Sequence, residues 1–317
     1  MFRPILSTLT RPYMDLAITS RRDFDIHIYE RPGRWMERDA LDRLSQELRD
    51  VASKTLASDA LNYGVFSGDA ERMGDVIVTL VRAKDGAPIA FNALAVMELK
   101  HAGEPEEVLH LVLVMVDPDA TKQRLSWVLY GLTCFLIFVR KQFRPIWVSN
   151  VTQVPAFVGM FSETFSDVFP RPAKGRWSLT HLLLGRQIMT EHRHVFRVGE
   201  DAGFDEDRFV ITNAYTGGSD DLKKTFDEAA KHRSPTYNFY CQEMLDYQRG
   251  DDLIQLGRMD FVAVRGYLRD MVPSGAVVSL IFAATMVAVQ RLILPVVHWA
   301  DTSKTWGSLR PSKEARK

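Results

Sequence analysis

Cysteine is nearly absent from this sequence: 317 residues carry two, Cys134 and Cys241, each inside an apolar or aromatic stretch. They provide neither a disulfide framework nor a CxxC metal pair, so a reducing compartment is the expected setting. Net charge is missing too. Forty Lys and Arg offset forty Asp and Glu, and no overall field draws the chain towards nucleic acid. The opening stretch, MFRPILSTLTRPYMDLAITSRR, lacks the continuous apolar core of a secretory signal, and a cytoplasmic folded body is expected. No repeat and no low-complexity tract interrupts the chain. HExxH is absent, and in Glu191-His192-Arg193-His194 the histidines lie two apart, a spacing that shares a face in a strand but not in a helix. A solvated helix end is the better reading there, and no metal site is expected.

What is present describes a folded protein. With 46% hydrophobic and 25% charged residues, the chain is too apolar for disorder and too charged for a polytopic membrane protein. Residues 24–30 alternate as a strand, and Met36, Leu41, Leu44, Leu48 and Val51 recur at helical spacing over 36–54. Strands are expected over 74–83 and 88–99, joined by a Lys84-Asp85-Gly86 hairpin turn. LHLVLVMV (109–116) is apolar on both faces and reads as a central strand. A long apolar helix is expected over roughly 122–140, a strand over 146–151 and a helix near 155–164. Further on, 179–191, 220–231 and 237–247 read as helical, 208–215 as strand-like, and 247–252 as a turn. The expected class is α/β (α+β): a mixed, mostly antiparallel sheet flanked by helices.

The stretch 109–129 carries the most specific signal. A buried strand passes through a short turn straight into a helix, whose first N–H groups and dipole make an anion site suited to phosphate. Val116-Asp117-Pro118 precedes Thr121-Lys122-Gln123-Arg124-Leu125-Ser126, which stands in the register of an R/Q-x-x-G-x-G/A loop. Gln153-Val154-Pro155-Ala156, Met160 and Thr164-Phe165 fall at the offsets of N-x-x-A-x-x-x-Y-x-x-x-G-F. In this spacing the chain resembles the GNAT family of N-acyltransferases, with the greasy helix 125–139 closest in character to its lipid-handling branches. Arg124 and Ser126 stand where the family has small loop residues, and Met160 where it often has a general-acid tyrosine.

The resemblance implies acyl transfer from a pantetheine thioester, on coenzyme A or acyl carrier protein, to an amine. It implies donor binding by Met115, Val116, Thr121, Lys122, Gln123, Arg124, Leu125 and Ser126, with backbone N–H groups of strand 111–116 at the oxyanion. No permanently bound cofactor is expected. Glu98 is the candidate base, a carboxylate at the end of the strand preceding the donor strand; an exposed strand-end charge is the competing reading. Ser149 and Asn150, ending strand 146–151, are candidates to hydrogen-bond substrate, or simply cap the sheet. His110 reads as a core residue rather than a base, and Lys122 and Arg124 equally as a solvated first turn. Asp251 and Asp252 belong to turn chemistry, or bind an acceptor amine. The rival function is a catalytically inactive GNAT-fold scaffold or ligand sensor at a membrane.

Residues 272–289 carry no charge, and a helix of that length covers about 27 Å, close to a bilayer's hydrocarbon core. Membrane lipid is therefore an expected partner, reached from the cytoplasmic side. The expected division is 1–172 acyltransferase domain, 173–270 extension completing the substrate site, 271–300 membrane-associated segment and 301–317 basic tail.

Overall fold

The computed structural model describes residues 12–19, 24–56, 64–101, 103–123, 125, 127–172, 177–217 and 222–300, without the side chains of 121–123, 291 and 294–300. Arg124, Ser126 and the tail 301–317 lie outside the described residues, as do the side chains of Thr121, Lys122 and Gln123.

Ten strands form one sheet. They are β1 (Asp15–Thr19), β2 (Phe24–Glu30), β3 (Val76–Ala83), β4 (Pro88–His101), β5 (Glu104–Val116), β6 (Ile146–Thr152), β7 (Ser166–Phe169), β8 (Gly203–Asp205), β9 (Val210–Thr212) and β10 (Asp252–Met259). The order is β1-β2-β3-β4-β5-β6-β10-β9-β8, with β7 on the same edge of β10 as β9. β5 and β6 are parallel; every other described pair is antiparallel. The class is the mixed, mostly antiparallel sheet flanked by helices that the hydrophobic patterning implies.

Two helices cover one face. α1 (Arg38–Ala52) buries Leu41, Leu44, Leu48 and Val51 at helical spacing over Val78, Leu80, Phe91 and Ala93. Beside it, α4 (Leu179–Glu191) covers Val108, Trp147 and Ile254 through Leu184 and Ile188. The opposite face carries α2 (Thr133–Arg140), which is buried almost throughout, and α3 (Pro155–Thr164), with α5 (Pro235–Met244) packed on α3. α6 (Phe261–Gly266) and α7 (Val277–Ala300) form an outer layer over α2.

Two expectations change. The helix expected over 122–140 is instead a short 3-10 turn, Pro118–Gln123, a π-helical turn, Trp127–Leu132, and only then α2. Residues 222–232 hold turns rather than a helix, because Ala229 is the one buried apolar side chain among them and no stripe exists to pack. The sheet also runs through the expected boundary at 172, since β10 pairs along the length of β6. The extension 173–270 thus shares a core with the first domain. No single helix among the described residues is long and apolar enough to cross a membrane; the pair Phe261–Met271 and Ser274–Gln290 is bent by 114°.

Candidate functional site

β5 contains an extra residue. Its pairing with β4 jumps from Ala93↔Leu113 to Leu94↔Leu111, leaving Val112 as a bulge. The insertion resets the alternation of the strand. Leu109 and Leu111 face α2, whereas Leu113 and Met115 face α1 and Val114 and Val116 return to the α2 side. Bulges bend and twist a strand, and here pairing with β6 stops at the same place. The parallel register runs from Val108↔Trp147 to Leu111↔Asn150; beyond it β5 follows β4 alone, while β6 continues along β10. Past Leu111 and Asn150 the two strands are no longer paired, and this interruption of the ladder is the gap. The β6-facing backbone groups of 112–116, which include the expected donor residues Met115 and Val116, have no strand partner among the described residues.

The turn below the gap is braced. Asp117 receives the Asp119 N–H at 3.0 Å and its own N–H donates to the Ile89 carbonyl at 2.8 Å. The Lys54 ammonium also donates to its carboxylate. The bond from Lys54, with that from Asp119, holds the Asp117 carboxyl below its usual range, so this acid is a structural anion. Leu125 is buried under the turn, and its carbonyl receives the N–H groups of Val128 and Leu129.

Polar groups tie the π-helical turn to the sheet. Asn92, which faces Val114 across the β4–β5 ladder, donates its side-chain amide to the Leu129 carbonyl. Thr79 and Thr133 hydroxyls meet at 2.5 Å. The next residue after Leu129 is Tyr130, whose ring meets Phe157, in the first turn of α3, edge to face at 6.1 Å. Tyr130 therefore reaches from the β4–β5 side to the helix that follows β6. Burial pushes its phenol well above the ordinary value, so it stays protonated and able to donate. Asn150 sits at the last paired position before the gap, 5% exposed, and its side-chain N–H donors find no protein partner. Across the ladder, Gln255 donates to the Pro170 carbonyl at 3.0 Å and the Ser162 hydroxyl at 3.1 Å, leaving its own carbonyl oxygen unpaired. A buried amide donor without a partner costs roughly 1–3 kcal/mol, and Asn150 shares that state with Asn92 Oδ1, Trp127 Nε1 and Gln255 Oε1.

The other candidates do not converge on this gap. Ser149 points to the opposite face from Asn150, where its hydroxyl lies 2.9 Å from His110 Nδ1; both are fully buried under α4. Burial, with the nearby His192, pushes His110 down to about 3, so the pair is a neutral, sealed hydrogen bond rather than a nucleophile and its base. Glu98 corrects a directional assumption. β4 and β5 are antiparallel, so the end of β4 lies beside the start of β5: Glu98 pairs with Glu107, while the donor turn follows the far end of β5. Its side chain is 71% exposed and stands 3.6 Å from Arg31. Met160 packs beside the core and has no proton to give. Asp251 pairs with Arg249 at 2.7 Å and Asp252 receives the Tyr215 hydroxyl at 3.0 Å, on the β9 side of β10. Asn92 and Tyr130 were the residues that sequence reasoning passed over. The one available signal was Asn92 itself, an amide in the middle of the apolar run PIAFNALAV.

No family model matches the chain, and no curated protein matches it. Among solved structures, one described as a GCN5-related glucosamine N-acetyltransferase region of a fungal multi-domain GH3 β-N-acetylglucosaminidase is 16% identical, with a TM-score of 0.27. The match covers 78% of this chain and 39% of that one, and at this overlap it assigns neither substrate nor reaction.

Proposed function

We propose that the chain is an N-acyltransferase that accepts an acyl group from a pantetheine thioester, on coenzyme A or acyl carrier protein, and passes it to an amine. The observation that carries this reading is the gap between β5 and β6, with unpaired strand backbone above and the 3-10 turn Pro118–Gln123 below. A pantetheine arm is an extended chain of two amides. It suits the free edge of 112–116 as an added partial strand, with its phosphate at the turn 118–123, where Lys122 contributes positive charge. The thioester carbonyl then lies within reach of N–H groups from the strand, which take up charge as the tetrahedral intermediate forms. The amine nitrogen attacks the carbonyl carbon, the C–S bond breaks, and the thiolate leaves with a proton. In this reading Asn150 donates to the thioester carbonyl and Tyr130 faces the departing sulfur, which takes up the proton lost by the nitrogen.

A second reading is favoured by a specific feature. Neither Glu98 nor His110 reaches the gap, so no described base stands there to take the proton from an ammonium. A ligand sensor that binds the pantetheine arm without turning it over needs only the gap and the turn.

Calorimetry with coenzyme A separates both from error. Replacing Lys122 and Arg124 together with Glu reverses two charges beside the phosphate and is expected to weaken binding by about tenfold or more. Unchanged affinity of the variant for both coenzyme A and acyl carrier protein would remove the donor assignment. Binding without transfer to any amine in a survey of acceptors would leave the sensor.

A further inference from the structure

α7 is apolar on two sides and only one of them is used. Ala276, Leu280, Ala283 and Val287 are buried against the core, and Gln290 reaches the Tyr13 carbonyl at 3.5 Å. These residues fix the helix along α2 and β1. The outer side carries Val278, Ile281, Phe282 and Leu292, which are 67%, 61%, 56% and 73% exposed. No charged residue occurs between Asp270 and Arg291. Thr285 shares the exposed side, yet its hydroxyl is returned to the Ile281 carbonyl at 2.8 Å instead of being left for water. A soluble helix with one face in the core ordinarily turns a charged face to solvent. This one turns a second hydrocarbon face outward.

Two features identify what covers it. The helix does not pass as a span by itself: its inner side packs on the protein, and the bend before it turns the chain by 114°. The chain that follows directly, 301–317, carries Lys304, Arg310, Lys313, Arg316 and Lys317 against Asp301 and Glu314, a charge that complements an anionic surface.

We propose that α7 lies in the plane of an anionic lipid bilayer, its outer face sunk into the boundary between headgroups and acyl chains, with the basic tail alongside on the headgroups. The protein is then monotopic, docked from one side. This inference does not rest on the acyltransferase reading.

The test uses the full chain and flotation with vesicles of phosphatidylcholine mixed with phosphatidylglycerol, beside vesicles of phosphatidylcholine alone. Wild-type protein is expected to float with the mixed vesicles and to stay with them in high salt, because screening weakens the tail but not the apolar contact. Ile281→Glu with Phe282→Glu changes two exposed side chains, so folding should survive, which a thermal melt and coenzyme A titration check. That double variant is expected to bind vesicles about tenfold or more weakly, since each side chain loses its transfer into hydrocarbon. Deleting 301–317 should reduce binding to the mixed vesicles alone. Equal flotation of wild type and double variant overturns the proposal. So does a wild-type protein that ignores vesicles, whether as a monomer or as a dimer in sedimentation equilibrium that the double variant splits; the latter result assigns the face to a second copy. Because the coenzyme A titration is read on the same samples, loss of lipid binding and loss of the donor site are told apart.

Discussion

Gly131→Ala is expected to destabilise the protein by about 3 kcal/mol, the upper end of what an added core methyl costs. A Cβ at Gly131 would lie 2.3 Å from Cε2 and 2.4 Å from Cδ2 of Tyr267. The ring cannot yield, because it is 1% exposed and its hydroxyl donates to the Trp127 carbonyl at 3.0 Å. Two π-helical turns, Trp127–Leu132 and Tyr267–Met271, thus meet ring against glycine, and this contact fastens the outer helices to the sheet. Tyr267→Ala should cost about 3–5 kcal/mol through the cavity it leaves. Combining the two substitutions removes the clash, so the double variant should lose less than the sum of the single losses. Denaturant unfolding of the four proteins is the measurement; strict additivity, or a Gly131→Ala midpoint equal to wild type, would refute the contact.

A second large effect is expected with pH. Burial, with the neighbouring Asp251, lifts the Asp252 carboxyl to about 7 against the opposing hydrogen bond from Tyr215. An unfolded aspartate titrates near 4, so between these values the unfolded chain gives up a proton that the folded chain keeps. The contribution is therefore fully present below about pH 4, declines as pH rises and is gone above about 7, a loss on the order of 4 kcal/mol. Asp252→Asn cannot titrate and still accepts from Tyr215. Its stability should exceed that of wild type at pH 8 and show a shallower fall from pH 4, read as unfolding free energy across that range. Parallel profiles for the two proteins would show that Asp252 does not carry the slope.

Elements whose burial is dictated by their own side chains were legible in the sequence. α1 and α4 show the reason: α1 buries Leu41, Leu44 and Leu48 and α4 buries Leu184, Ile188 and Met189, stripes that need only one apolar surface to settle on, and the expected bounds of α4 match those observed. β10 was not legible. Its run DLIQLGRM breaks the alternation with Gln255, Gly257 and Arg258, and each is explained by a distant neighbour. The Gln255 side-chain N–H groups go to Pro170 and Ser162, Gly257 gives room to Val168, which would lie 2.9 Å from a Cβ there, and Arg258 lies over the Trp147 ring at 4.2 Å. The helix expected over 220–231 had no apolar stripe for a core to hold, Ala229 being the buried apolar side chain among the described residues there. At the candidate site, the end of β5 and the turn after it followed from local pattern, whereas the gap above depends on one inserted residue. Val112 is indistinguishable in sequence from the valines around it, and only pairing with β4 shows which of them is extra. The misplacement of Glu98 had a different origin: strand direction was available from the hairpin, and the end of one antiparallel strand is the beginning of its neighbour.

The late position of β10 in the chain has a consequence for biosynthesis. β6 leaves the ribosome far ahead of the strand that covers its outer edge along Ile146–Thr152. Throughout that interval a half-built sheet presents an open edge flanked by Trp147 and Val148, the kind of template on which other chains pair. The nascent protein is thus at its most vulnerable when more than half of it has already been made. A gene fragment ending at residue 172 freezes that moment permanently, and its expected fate in the cell is sequestration by chaperones or an inclusion body rather than a working module.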